Sequence, residues 1–524
     1  MLNQIYITGE SDSVTGLRHS EILPEAGQST FFNMPLELHQ ITRNPFDYLN
    51  RKNTRLGLEQ FVVDVEKQLR QTILEAKISI NQCTSISTLP PELITEIFIL
   101  ACHPEYDAMG GFGKHWRMWP LRLGAVCKAW RDLAWSSSQL WSSIVFVSQS
   151  CDTTFDLQDI LDSWISRTGN HPLSIHVDAP YLASSCVESI IGTLTSVASR
   201  WKNVSLRLSE KSFQHFVKYD RFPILERLSF NKHCHEAREW NIGESLDIFR
   251  SSNMPQFKHL HLPQYVKYLD IWPSALRSLT TFSVDFISDD QAYHILNLTS
   301  NSLQEFVAQC FRSDKRLYGE EHRTLVLPAL QRLVLKYSTN YNAGLNELLS
   351  KIIAPSIKDL AIELYEYDHT PIPSMPDFMS NLSRSLRRLH ITCYQKSPED
   401  CRSLISCILK VESLSELHFT GGQQSYEALV DSLGPAAPKN SSGEHLPLLE
   451  TFTITVNTCL LPVEGLQEIL VYRFSGVPTT CVRLKTVHIK TCRCSRKSMN
   501  VLRTALADSK SEITFATLNQ YCLS

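Results

Sequence analysis

The side chains able to bind a metal or attack a substrate are few, and their spacing suits neither task. His233-Cys234-His235 sets three soft ligands together. A structural zinc site draws its four ligands from separated pairs, and no second pair stands at such a distance. Cys492 and Cys494 have one residue between them, where zinc knuckles use two or more. Asp289-Asp290 and Glu320-Glu321 place carboxylates side by side as acid–base pairs do, but both fall in apparent loops with no identifiable partner. There is no glycine-rich loop ending in Gly-Lys-Ser/Thr, no strand followed by G-x-G-x-x-G and no G-x-S-x-G elbow. The basic run from Lys490 to Lys497 is diluted by cysteines. It reads as a solvated edge, with a nuclear-localisation or anion-binding patch as the alternative. The chain is therefore expected to perform no bond chemistry and to hold no metal or cofactor.

What remains is a chain built to bind. Of 524 residues, 43% are hydrophobic and 20% charged, the balance of a folded protein, and the length allows several domains or a small domain joined to a repeat array. A net charge of −3 offers no concentrated basic surface for nucleic acid. No run approaches the roughly 18 apolar residues of a membrane helix. The start, MLNQIYITGESDSV, has no basic segment followed by an apolar core, so no leader is expected. Fifteen scattered cysteines then point to reduced thiols in the cytoplasm or nucleus.

Residues 1–45 mix Gly, Ser, Pro and Asn and read as a disordered tail, with Phe31–Leu38 as a possible docking segment. Over 46–82 a helix is expected. Leu58, Val62, Val65 and Leu69 step as a heptad seam that weakens at Thr72, Ala76 and Ser79. Packing within the chain is the preferred use of that face, and dimerisation the alternative.

The most informative stretch runs from Ile86 to Val145. Ser87 or Thr88 is placed to cap a helix that Pro91 opens, and Leu93, Ile94, Ile97, Phe98 and Ala101 make one broad apolar face. A connection over His103–Pro120 leads to a second amphipathic segment with Leu121, Leu123, Val126, Trp130 and Leu133, in which Cys127 is expected to be a small buried hydrophobe. Two short helices have too little surface to bury all of this between themselves. Leu89-Pro90, Glu92-Leu93, Ile97-Phe98, Val126-Cys127, Trp130-Arg131 and Trp141 resemble, in order and spacing, the motif of the F-box family. The resemblance covers about sixty residues (86–145) and implies a substrate-receptor subunit of a cullin–RING ubiquitin ligase, joined to the cullin by a Skp-family adaptor. On this reading Leu89, Pro90, Leu93, Ile97, Phe98, Val126, Trp130 and Leu133 are the adaptor-binding residues. Leu93 and Val126 are the first candidates for plain core, and Leu89-Pro90 is the pair least explained by packing.

After a helix near 155–167, a turn at Gly169-Asn170 and a strand Leu173–Val177, a pattern L-x-x-L-x-L returns ten times. It begins at Leu225, Phe257, Leu276, Leu303 and Leu330, then at Ile357, Leu386, Leu414, Leu449 and Leu484. Three successive steps from Leu276 to Ile357 are 27 residues each by subtraction. Such a period with this pattern is the leucine-rich-repeat signature: one short strand per unit, then a helical return, as at Tyr341–Ile353, Cys401–Val411 and Pro462–Phe474. Tyr365–Asp377 and Gly434–His445 read as surface excursions. The expected whole is an α/β chain, with an N-terminal helical F-box unit (86–145) and an irregular leucine-rich-repeat solenoid (155–524) of one parallel strand and one helix per repeat. Its partners would be a Skp-family adaptor and a protein substrate. The alternative is a repeat scaffold whose helices merely cap its open end.

Overall fold

A computed structural model describes residues 55–82, 85–102, 119–147, 157–179, 184–208, 221–231, 254–262, 273–311, 323–337, 343–364, 372–393, 398–433, 446–456, 466–467, 470, 484–491 and 512–517. The tail with Phe31–Leu38, residues 103–118, His233–His235, Glu320-Glu321, Gly434–His445 and Cys492–Lys497 lie outside these, as does most of Pro462–Phe474.

The chain divides into two compact units. One holds the helical residues up to Ser142 with residues 163–171, and the other holds the strands from Ser143 onward. The expected unit 86–145 thus ends three residues early, because Ser143-Ile144-Val145 begin a strand.

The helical unit contains α1 (Arg55–Gln82), α2 (Pro91–Ala101), α3 (Trp119–Val126) and α4 (Lys128–Ser136). Pro91 does open α2, where its missing N–H costs no bond. The residue before it, Pro90, takes the cap position with no side-chain hydrogen bond, and Ser85–Thr88 form a 3₁₀ turn instead of the expected Ser/Thr cap. The second amphipathic segment is two helices, not one. Cys127 is extended (φ −156, ψ 173), and its Sγ accepts the Trp130 N–H at 3.5 Å. This half-buried cysteine is a helix cap rather than a core residue. The break resets the helical phase, so Leu121 and Leu123 before it and Trp130 and Leu133 after it reach one core.

In the other unit fourteen strands form one sheet in chain order, every pair parallel. They are β1 (Ser143–Val147), β2 (Leu173–Asp178), β3 (Trp201–Arg207), β4 (Arg227–Phe230), β5 (His259–Leu262), β6 (Thr281–Ser288), β7 (Glu305–Phe311) and β9 (Arg332–Tyr337), followed by β11 (Asp359–Leu364), β12 (Arg388–Cys393), β13 (Glu416–Gly421), β14 (Thr451–Val456), β15 (Thr486–Thr491) and β16 (Glu512–Thr517). The short β8 (Leu325–Val326) and β10 (Ile352–Ile353) pair with each other. The returns include α5 (Leu157–Arg167), whose residues from Ser163 onward belong to the helical unit, α6 (Ser184–Ser196), α7 (Asp289–Leu298), α8 (Ala343–Lys351), α9 (Met375–Leu382), α10 (Pro398–Leu409) and α11 (Gln423–Leu433). From α7 to α11 each helix touches the next. The expected excursion at Tyr365–Asp377 ends in α9. Asp289-Asp290 are not in a loop: they open α7, whose capping box joins Ser288 to Gln291, and carboxylates suit the positive end of a helix.

Register explains the leucine pattern. Leu228, Leu260, Phe282, Phe306 and Leu333 stand opposite one another across successive strands, continued by Leu360, Leu389, Leu417, Phe452 and Val487. All are at most 2% exposed. One frame needs correction. The unit placed at Leu276 starts at Leu279, whose N–H bonds the Leu276 carbonyl as that of Leu225 bonds Phe222 and that of Leu330 bonds Leu327. Phe282 and Val284 are then in frame, and the steps around them are 22 and 24 residues (279 − 257 and 303 − 279), so the run of 27 is two steps long. A backbone relay ties unit to unit. The N–H of Lys258 bonds Glu226, Thr280 bonds Lys258, Gln304 bonds Thr280 and Gln331 bonds Gln304, continuing through Lys358, Arg387, Ser415 and Glu450 to Lys485 at 2.8–2.9 Å.

Candidate functional site

In the helical unit, Ile94, Phe98, Cys102, Leu123, Ala134, Leu140 and Trp141 form a closed core. Phe98 meets the Trp130 ring edge-on at 4.8 Å, and Trp141 meets Trp135 at 5.2 Å and Trp164 at 4.8 Å. The indole N–H groups of buried Trp141 and half-buried Trp164 are both satisfied, Trp141 donating to the Ala134 carbonyl at 2.8 Å and Trp164 to the Trp141 carbonyl at 2.9 Å. The Arg167 guanidinium lies 5.0 Å from the Trp141 ring centre. α3 and α4 approach so closely that a Cβ on Gly124 would lie 2.1 Å from Trp135 Cζ3. Glycine is required there because of the ring, not the backbone angle.

The eight residues singled out from the sequence separate into two groups. Phe98 is 1% exposed, and Leu89, Trp130 and Leu133 pack around it. Phe98 therefore has no surface to offer a partner. The other four, Pro90, Leu93, Ile97 and Val126, are on the surface. Leu93 and Val126, the first candidates for core, are 51% and 58% exposed, whereas Leu89 is one of the packed residues. The broad apolar face of α2 is thus split. Ile94 and Phe98 fill the core, while Pro90, Leu93, Ile97 and Leu100 run beside them in an exposed stripe at steps of three, four and three. Leu100, the most exposed at 73%, was missed. Its spacing of seven from Leu93 was the available signal.

The sheet presents a second surface, made by the residues that alternate with the buried ladder. One row alternates in charge: Arg332 pairs with Glu305 at 2.6 Å and Asp359 at 3.5 Å, and Asp359 also holds Arg388 at 3.1 Å. Beside it Lys336 pairs with Glu363 at 3.2 Å. Histidines line the row between. His390 stacks on His418 at 4.1 Å, His418 meets Thr455, His488 meets Thr514, and His261 meets Ser283 at 2.7 Å. Burial first, and then His390 and Lys490, push His418 down to about 4. Burial with Arg227 and Lys258 does the same to His259, and burial lowers His390. Burial raises Asp285 to about 6 against the pull of Lys336. The three histidines are therefore neutral near neutral pH, while Asp285 is ionised there and takes up its proton as the pH falls through about 6. No three His, Cys, Asp or Glu side chains converge as a metal site among the described residues, and none of their helices is long and apolar enough to cross a membrane.

No protein-family model matches the chain, and no curated protein matches it at a significant level.

Proposed function

We propose that this protein is a non-catalytic substrate receptor of a cullin–RING ubiquitin ligase. The helical unit acts as an F-box, docking a Skp-family adaptor, and the parallel-sheet unit is an irregular leucine-rich-repeat solenoid that captures a protein substrate on its polar face. One observation carries the reading: Leu93, Ile97, Leu100 and Val126 stand 41–73% exposed on a unit whose own core is already closed. Apolar side chains left over after folding are the usual anchors of an interface, and each contributes about 1.5–3 kcal/mol when fully buried. The F-box resemblance supports the adaptor as the partner, and the ladder of buried leucines supports the repeat assignment. The chain's contribution to ubiquitin transfer is proximity, holding the substrate beside a charged enzyme.

The test is co-expression of the full chain with a Skp-family adaptor, followed by size-exclusion chromatography. A one-to-one complex, lost in the double variant Leu93→Asp, Ile97→Asp, is expected. A soluble wild-type chain eluting without the adaptor would sink the proposal.

A further inference from the structure

The long helix α1 carries an apolar stripe that its own unit leaves exposed. Leu58, Val62 and Val65 recur eleven residues later as Leu69, Ile73 and Ala76, and Ile80 begins a third set. An eleven-residue repeat drifts about 20° over eleven residues, where a heptad drifts as far over seven and in the other sense, so the stripe holds one face of α1 better than the heptad frame does. The seam therefore does not fade at Thr72 and Ser79 as the heptad frame has it. The six large members of the stripe are 37–63% exposed, so much of its surface is left open to a partner, although Phe61 beside it is half-buried. Val63, Leu74 and Ile78, also exposed, lie off the stripe. On the far side Gln60 donates to Asp64 at 2.9 Å and Gln71 to Glu75 at 2.8 Å, the mark of a solvent face.

Charge decides what covers the stripe. The same repeat places Glu59, Glu66, Arg70 and Lys77 along one flank, acidic in the first half and basic in the second. The other flank holds Phe61, Gln68, Thr72 and Ser79, with no charge. Two parallel copies would set a charged flank against an uncharged one. Two antiparallel copies set like flanks together, so each acidic half meets a basic half.

We infer that α1 pairs antiparallel with α1 of a second copy of this chain, centred on Leu69. Leu58 then faces Ile80, Val62 faces Ala76 and Val65 faces Ile73, while Leu69 meets its own counterpart. Glu59 pairs with Lys77 of the second copy and Glu66 with Arg70. In the single chain Arg70 already leans on Glu66 at 3.7 Å, with both side chains exposed. The dimer joins two such pairs into a four-charge cluster at the two-fold axis. This inference stands apart from the ligase reading and survives the failure of adaptor binding.

The test is sedimentation-equilibrium analysis of the full chain and its variants: a wild-type dimer is expected, with Leu69→Asp monomeric. The charge swaps act on exposed side chains and spare folding. The all-basic variant Glu59→Lys, Glu66→Lys and the all-acidic variant Arg70→Glu, Lys77→Glu should each dissociate at least about tenfold more readily. Mixed together they should form a heterodimer, and the chain carrying all four changes should dimerise again. A wild-type monomer would overturn the inference, including one that dimerises only after residues 1–45 are removed. A dimer indifferent to Leu69→Asp, or swaps that fail to complement, would overturn it equally.

Discussion

The two units treat the same kind of side chain in opposite ways. In the sheet, every ladder residue from Leu228 to Val487 is at most 2% exposed, whereas in the helical unit Leu93, Ile97, Leu100 and Val126 remain 41–73% exposed beside a closed tryptophan core. Apolar residues in the sheet are consumed in holding one strand to the next. Those of the helical unit divide between folding and a surface. A leucine's identity therefore says little about its use; its place on the helix or strand says more.

The largest effects should come from the two cores, separately. Phe98→Ala and Phe306→Ala should each cost about 3–5 kcal/mol. Followed by hydrogen exchange at stepped urea, the first should move the opening of α2–α4 and the second that of β6, β7 and β9. One shared transition moved by both would erase the distinction between the units. Next, Gly124→Ala should cost about 1–3 kcal/mol and act only on the opening of α2–α4, since the new methyl must displace Trp135.

Between about pH 4 and 6.5 a pH effect should belong to the sheet. His259 and His418 are held near 4, well below an unfolded value of about 6.5, so the unfolded chain takes up protons first as pH falls. The two histidines lower stability as pH falls from about 6.5 to about 4, by up to about 1.4 kcal/mol per pH unit each, and Asp285, raised to about 6, offsets part of that loss below pH 6. The double variant His259→Gln, His418→Gln should flatten that slope in urea titrations at stepped pH. An unchanged slope would place the loss elsewhere.

Smaller still, Leu93→Asp with Ile97→Asp should change folding stability by no more than about 0.5 kcal/mol each while abolishing adaptor capture. If the pair proved as damaging as Phe98→Ala, the exposed stripe would be core after all. Least of all, Glu305→Gln should cost under about 1 kcal/mol and matter less in salt, because Arg332 is 44% exposed and has Asp359 as a second partner.

The sheet was legible in the sequence because its rule is simple. Strand residues alternate, so a buried ladder must print leucine-like residues at fixed offsets, and the ten units follow strand by strand. The frame at Leu276 slipped because Leu276 and Leu279 are both buried and both leucine, and only the turn hydrogen bond tells them apart. β1, β3 and β16 lie beyond the ten repeats. Ile144 and Trp201 fall outside the L-x-x-L-x-L spacing although both are buried. The helical site was legible only in part. Apolar spacing located the broad face of α2, but which edge of that face turns inward depends on α3 and α4. The break at Cys127 that aims those helices rests on one residue's backbone angles. Hence Leu93 and Val126, though placed among the adaptor-binding residues, were ranked the first candidates for core, and Leu100 was passed over.

The alternating row of Glu305, Arg332, Asp359 and Arg388 also constrains which strand can stand beside which. Were β9 skipped in pairing, Glu305 would face Asp359, and were β11 skipped, Arg332 would face Arg388, like charges on neighbouring strands. The row therefore writes the order of the strands in charge and disfavours a sheet that folds with one strand left out.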